Sequence, residues 1–339
     1  MSCPIRFFVL ITLLAGLVIG VTYAQDKKNI RKKPKVAGAH TEDDILVRPV
    51  MNVPAAAIGQ PGLSLDKPFN KIKALRKLIP GRYYHLEDYS TLDLVVWKSN
   101  DYKHKRFAGW FIGEPRDIFP FTDCNITEVA DTIMFTDDSG ARNVIFSFAS
   151  HASQSVDDIH TGRYSCAMMG LAWFTEHDNK WVLKYFTPGI GCYGAFQSLP
   201  DLNLIKLGKN NYGCYILNSN GGPGQVYYSS MDLFAIVDGK FKIVLTEDAV
   251  GRTNTMSSRW YSRLTTLKTQ TDSLFQPLSL KIDGNFNRDI PNPEYDTTDS
   301  PIELAKAIIG RDSFDFRVTR RFEYSKGKYR KVSSRYKLK

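Results

Sequence analysis

One local pattern, written three times, limits what this chain can fold into. Trp173 to Phe186, Leu233 to Leu245 and Phe322 to Val332 each run from an apolar strand through a short polar turn into an aromatic-led strand. Each reads as an antiparallel β-hairpin. Asp238-Gly239 is the clearest turn, because Asp and Gly tolerate the positive φ angles that a two-residue hairpin loop demands. The copies start 60 and 89 residues apart, so no fixed period supports a regular repeat array.

The same alternation continues from Leu92 onward. Leu92–Trp97, Arg106–Ile112, Asp131–Thr136, Asn143–Phe148, Leu204–Leu207, Tyr212–Leu217, Arg259–Leu267 and Leu278–Ile282 join the hairpin strands for about fourteen in all. This predicts an all-β fold: an antiparallel meander of hairpins, arranged as a divergent propeller or a multi-sheet sandwich. One or two short peripheral helices interrupt it. Phe69, Ile72, Leu75 and Ile79 fall at helical spacing before Pro80-Gly81, which predicts a basic amphipathic helix packed on the domain. Ser300-Pro301-Ile-Glu303 has the form of a helix start with a capping box, and Gly310 is placed to end a short surface crossover helix.

The N-terminus reads as a targeting segment. Arg6 precedes an apolar run from Phe7 to Val21, and Ala24 stands at a plausible cut. The run is short for a membrane span, which needs about 20 residues. The expected organisation is a signal peptide over 1–24, a flexible basic and Pro/Ala/Gly-rich tether over 25–66, and one β-rich domain over 67–339 that ends in a basic hairpin. The mature chain is then secreted or periplasmic, with no transmembrane segment. Such a compartment is oxidising, and Cys124, Cys166, Cys192 and Cys214 are the cysteines left after cleavage. Sequential pairing, Cys124 with Cys166 and Cys192 with Cys214, is the simplest of three connectivities. The spacing shows no zinc knuckle.

The net charge of +10 sits at the ends. Asp26–Lys35 carries +5 and Arg317–Lys339 carries +9, so the middle of the chain is mildly acidic. That distribution argues against a nucleic-acid binder. The C-terminal tail interleaves its bases with Phe322, Tyr324, Tyr329 and Tyr336. In an exported protein this points to an anionic glycan, a lipid headgroup or an acidic protein as partner. It also fits a final hairpin whose lysines keep an edge strand from pairing with strangers.

Chemistry has one weak candidate. Ser150–Arg163 holds His151, Asp157, Asp158 and His160, a set able to gather round a divalent metal and activate a water. His177 is a nearby third histidine. The spacing matches no recognised metal motif, and no cofactor motif, serine elbow, zinc helix or EF-hand loop is present. The glycine-rich stretch Thr187–Phe196 reads as a compact turn clipped by Cys192. Trp110, Trp173, Trp181 and Trp260 could serve as a glycan platform or as core. Asn125-Ile-Thr127 is a glycosylation sequon in a eukaryotic host. The leading expectation is therefore an exported binding protein without evident catalytic chemistry. The alternative is an exported hydrolase built on the His151–His160 loop.

Overall fold

The computed structural model describes residues 50–86, 92–102, 107–108, 115–116, 124–152, 166–194, 198–220, 227–253, 258–269, 272–288 and 300–339. The N-terminal targeting segment, most of the expected tether, and Asp157, Asp158, His160 and Trp110 lie outside them.

The chain is all-β, as its alternation predicts, and its strands form two antiparallel sheets. In order it makes β1 (Ser64–Asp66), helix α1 (Lys71–Leu78), β2 (Arg82–Leu86) and β3 (Leu92–Trp97). A small ribbon of β4 (Phe107–Ala108) and β5 (Pro115–Arg116) follows. Next come β6 (Asn125–Thr136), β7 (Arg142–Ala152), β8 (Ala167–His177) and β9 (Lys180–Tyr193). These build a seven-stranded sheet in the order β1-β9-β8-β7-β6-β3-β2. A second sheet then runs in strict sequence: β10 (Asn203–Gly208), β11 (Asn211–Asn220), β12 (Tyr227–Val237), β13 (Lys240–Thr253), β14 (Arg259–Thr266), β15 (Leu278–Asn287), β16 (Ser313–Ser325) and β17 (Lys328–Leu338).

The three hairpin copies share their turn chemistry. Asp178-Asn179, Asp238-Gly239 and Lys326-Gly327 all take positive φ at both turn residues, the backbone twist a two-residue antiparallel loop requires. Two of the six turn residues are glycine; the others accept the left-handed conformation so that the flanking strands can pair.

Three apolar layers hold the sheets. Helix α1 covers one face of the first sheet, placing Ala74, Leu75 and Leu78 against Phe146, Phe148 and Phe174. Asn70 caps it, accepting from the Lys73 amide at 2.8 Å. The other face of that sheet packs on the second through Ile145, Leu171 and Trp173 against Tyr212, Ile216, Phe234 and Phe241. The second sheet curls into a half-barrel. Its strand β10 comes beside β14, where the Thr266 hydroxyl donates to the Lys206 carbonyl. The hollow is filled by Trp260, Leu280, Ile282, Phe316, Val318 and Phe322.

Polar contacts register the sheets against each other. Asp138, in the β6–β7 turn, accepts from Lys206, from the Tyr212 hydroxyl at 2.9 Å and from the Asn210 amide at 2.9 Å. These bonds, the one from Lys206 foremost, hold its carboxyl at about 2. Tyr193 donates to Asp232 at 2.8 Å, whose carboxyl is raised by burial against the bonds from Thr246 and Tyr193.

Several expectations are corrected. The last part of the expected tether is built into the fold: Val53, Ile58 and Leu65 are buried in the core beneath α1, and β1 pairs with β9. Lone apolar residues at irregular spacing fill gaps there without making a periodic face. The 300–310 segment is no surface crossover. A 3₁₀ turn over Ile302–Leu304 and a short α2 (Ala305–Ile309) drive Leu304 and Ile308 into the half-barrel. The turn starts after Pro301, with no side-chain cap there, and the Glu303 carboxylate is engaged by other partners. Its carboxylate takes both Arg320 Nε and Nη2 at 2.9 Å and the Ser334 hydroxyl at 2.5 Å. Arg320 also donates to Glu247 at 2.6 Å. The plug is thus fastened to β13 and β16 by one buried guanidinium, and to β17 by the Ser334 hydroxyl.

The disulfide pairing is corrected too. Cys166 joins Cys192, with Cα atoms 5.5 Å apart, while Cys124 and Cys214 stay thiols. The β8–β9 register decides this, since it sets Ala167 opposite Tyr193 and Met168 opposite Cys192. Cys214 faces the core between the sheets, and burial pushes its thiol up to about 12. Thr187–Cys192, read as a compact turn, is the continuation of β9. Asn125 of the sequon is buried at the start of β6, so the folded chain does not present it.

Candidate anion-binding face

The outer, convex face of the half-barrel concentrates positive charge. Along β14, Trp260 and Leu264 point into the hollow, and Arg259, Tyr261 and Arg263 point out. On β15 the inward set is Leu278, Leu280 and Ile282, with Lys281 exposed between them. On β16, Phe316, Val318 and Phe322 face in while Arg317 and Arg321 face out. The period of two that buries the apolar residues therefore presents every intervening base to one surface.

Strand register turns these bases into rows. Arg263 stands opposite Lys281, Lys281 opposite Thr319, and Thr319 opposite Arg335. In the adjacent row Tyr261, Asp283, Arg317 and Lys337 follow one another across the same four strands. Arg321 and Ser333 continue a third row from Thr265 and Ser279. Neighbouring strands are about 4.8 Å apart and alternate residues about 6.8 Å apart along a strand, so the bases form a close lattice.

Carboxylates neutralise part of it. Asp283 takes Arg317 Nε and Lys339 Nζ, each at 2.8 Å. Burial works to raise the Asp283 carboxyl, but the bonds and charges of Arg317 and Lys339 together outweigh it and lower the group. Arg321 lies 3.6 Å from Glu323. Among the described residues no carboxylate is within ion-pair distance of Arg263, Lys281, Arg335 or Lys337. Two like-charged pairs, Arg263 with Lys281 and Arg317 with Lys337, sit directly across from each other. Such pairs work against a sheet.

No protein-family model, curated protein or solved structure matches this chain. The site therefore rests on its own geometry.

The metal candidate is not assembled by the described residues. His151 ends β7 with its side chain buried and its Nε2 3.4 Å from Glu128 Oε1. Asp157, Asp158 and His160 lie outside the described residues. His177 is at the far end of β8, ten residues from the level of His151, or on the order of 30 Å along the strand; it does not join that site. Among the described residues no group of three metal-ligating side chains converges. Trp173, Trp181 and Trp260 are core, and that answers the glycan-platform reading for those three.

The C-terminal bases stand out in the sequence as a run, whereas Arg259, Arg263 and Lys281 are scattered through two strands. The available signal is the alternation Arg259-Trp260-Tyr261-Ser262-Arg263-Leu264, in which the bases stand at odd separations from the inward Trp260 and Leu264. Which strands would lie side by side was not readable from spacing.

Proposed function

We propose that this chain is an exported, secreted or periplasmic binding protein that holds a polyanionic partner on the outer face of its second sheet. One observation carries the reading: bases without an ion-pair carboxylate line up on β14, β15 and β17, the first two of them interior to the sheet. Protection of a free sheet edge explains lysines on β17, but β14 and β15 are paired on both sides and need no such protection. The like-charged pairs lower stability in the isolated protein, and a bound polyanion relieves them. The Cys166–Cys192 disulfide supports an oxidising compartment. No helix among the described residues is long and apolar enough to cross a membrane.

The test is titration with a sulfated polysaccharide at several salt concentrations. Binding weakens as salt rises, because each neutralised charge releases counterions. Replacing Arg263, Lys281 and Arg335 together by Gln lowers the slope of log affinity against log salt by about two to three. Neutralising the Lys27–Lys35 cluster instead leaves most of the affinity. A triple variant that binds as the wild type does, or loss of all binding on neutralising Lys27–Lys35, overturns the reading.

A further inference from the structure

The face carries more than charge. Tyr261 is 61% exposed on β14, an interior strand, with Arg259 and Arg263 two residues to either side. It is the only exposed large apolar side chain on β14, β15 and β16. An aromatic ring held out from the middle of a sheet gains nothing from the core beneath it. It offers a flat apolar surface ringed by cations. Directly across from it stands Asp283, an acceptor already fixed by Arg317 and Lys339.

We infer that the ligand is an acidic polysaccharide, laid across the strands with one sugar packed on the Tyr261 ring; this rests on the polyanion reading above. A pyranose presents an apolar C–H face to an aromatic ring and hydroxyls at its rim. Its carboxylates or sulfates recur along the chain. The lattice answers each feature: Tyr261 takes the C–H face, Asp283 accepts from a hydroxyl, and the Arg263–Lys281–Arg335 row meets successive anionic groups. The polymer axis runs across the strands because Arg263 and Lys281 follow one another at the strand spacing in that direction and Arg335 lies two strands further on, past Thr319.

Other polyanions fit less well. Duplex DNA is read by an element that enters a groove, and a convex sheet surface offers none. Single-stranded nucleic acid gains its affinity by stacking successive bases on several aromatic rings, where the three interior strands show one. A lipid surface holds a protein stably when a basic patch is joined by a second, inserted anchor, and Tyr261 is short for that purpose.

The experiment compares the full chain with Tyr261→Ala and with the Arg263/Lys281/Arg335→Gln variant. Each is titrated with polygalacturonate, dextran sulfate, uncharged dextran, oligo-dT and anionic phosphatidylglycerol vesicles. The expected result is binding to an acidic polysaccharide that weakens about tenfold in Tyr261→Ala, a difference of about 1.4 kcal/mol, with no binding to uncharged dextran. Oligo-dT and vesicles bind more weakly, and vesicle binding does not respond to Tyr261. If Tyr261→Ala changes no polysaccharide affinity, or if oligo-dT or vesicles bind more tightly than either acidic polysaccharide, the polysaccharide assignment falls while the basic face stands. If the triple variant keeps wild-type affinity for every polyanion, the basic face itself is wrong. Melting curves establish that both variants are folded, since all four side chains are exposed.

Discussion

The β12–β13 and β16–β17 hairpins have the same turn and opposite lives. Both reverse through two residues of positive φ, Asp238-Gly239 and Lys326-Gly327. The first is buried on both sides. Leu233 and Ala235 face the half-barrel hollow, while Phe234 and Phe241 face the first sheet. The second is buried on one side at most. Phe316, Val318, Phe322 and Tyr329 face the hollow, and beyond Tyr329 nearly all of β17 is exposed. The turn therefore makes a hairpin, but the number of covered faces decides its composition. Two covered faces leave exposed bases only beside the turn, at Lys240 and Lys242; one covered face leaves the alternate positions along the whole strand open to a surface chemistry.

That contrast can be broken most forcefully in the first hairpin. Phe234→Ala should lower stability by about 3–5 kcal/mol, the range for deleting a buried aromatic ring. Tyr336→Ala, on the exposed strand, should stay within about 0.5 kcal/mol. Urea denaturation midpoints check both.

Next in size is the covalent tie between the start of β8 and the end of β9. Its cysteines are 26 residues apart, and replacing both by Ser should cost about 3 kcal/mol in the chain-entropy account. The same change at Cys214 closes no loop and isolates the packing contribution. Denaturation with and without reductant gives the comparison.

Arg320→Ala sharpens the contrast from inside the second hairpin, where one inward residue is charged. Removing it strands Glu303 and Glu247 and should destabilise by about 3 kcal/mol. Burial raises the Glu303 carboxyl, but the bonds from Arg320 and Ser334 outweigh it and hold the group at about 2 against an ordinary 4.5. The folded value lies below the unfolded one, so its contribution is complete above about 4.5 and is lost as pH falls toward about 2. In Arg320→Ala that acid limb should flatten, which melting temperatures between pH 2 and 6 would show.

The smallest expected change in stability is in the basic rows. The Arg263/Lys281/Arg335→Gln variant should stay within about 0.5 kcal/mol of the wild type, shifted upward if relief of the Arg263–Lys281 repulsion dominates. Large loss of ligand with no loss of stability separates a binding face from a structural one.

Much of the fold was legible because period-two alternation and turn residues are local. Asp238-Gly239 named its hairpin, and the inward Phe, Val and Leu of β12 through β16 marked their strands. What was not legible depended on partners distant in the chain. Glu303 reads as a capping residue until Arg320 and Ser334 come beside it. Cys192 could pair with either sequence neighbour until the β8–β9 register set it beside Cys166. Ser64–Asp66 carries no strand pattern, and only the exposed edge of β9 makes it one. The face itself was half legible: the C-terminal bases stood out as a run, while Arg263 and Lys281 looked like ordinary polar alternation until register aligned them.

Lysine acetylation mapped by mass spectrometry, with and without a saturating acidic polysaccharide, tests the face most directly. Lys281 and Lys337 should be protected by the ligand, while Lys240 on the β12–β13 hairpin and Lys184 on the first sheet, all exposed in the unliganded chain, should react as before. Equal protection at all four, or protection confined to Lys240 and Lys184, would contradict a binding face on the outer side of the second sheet.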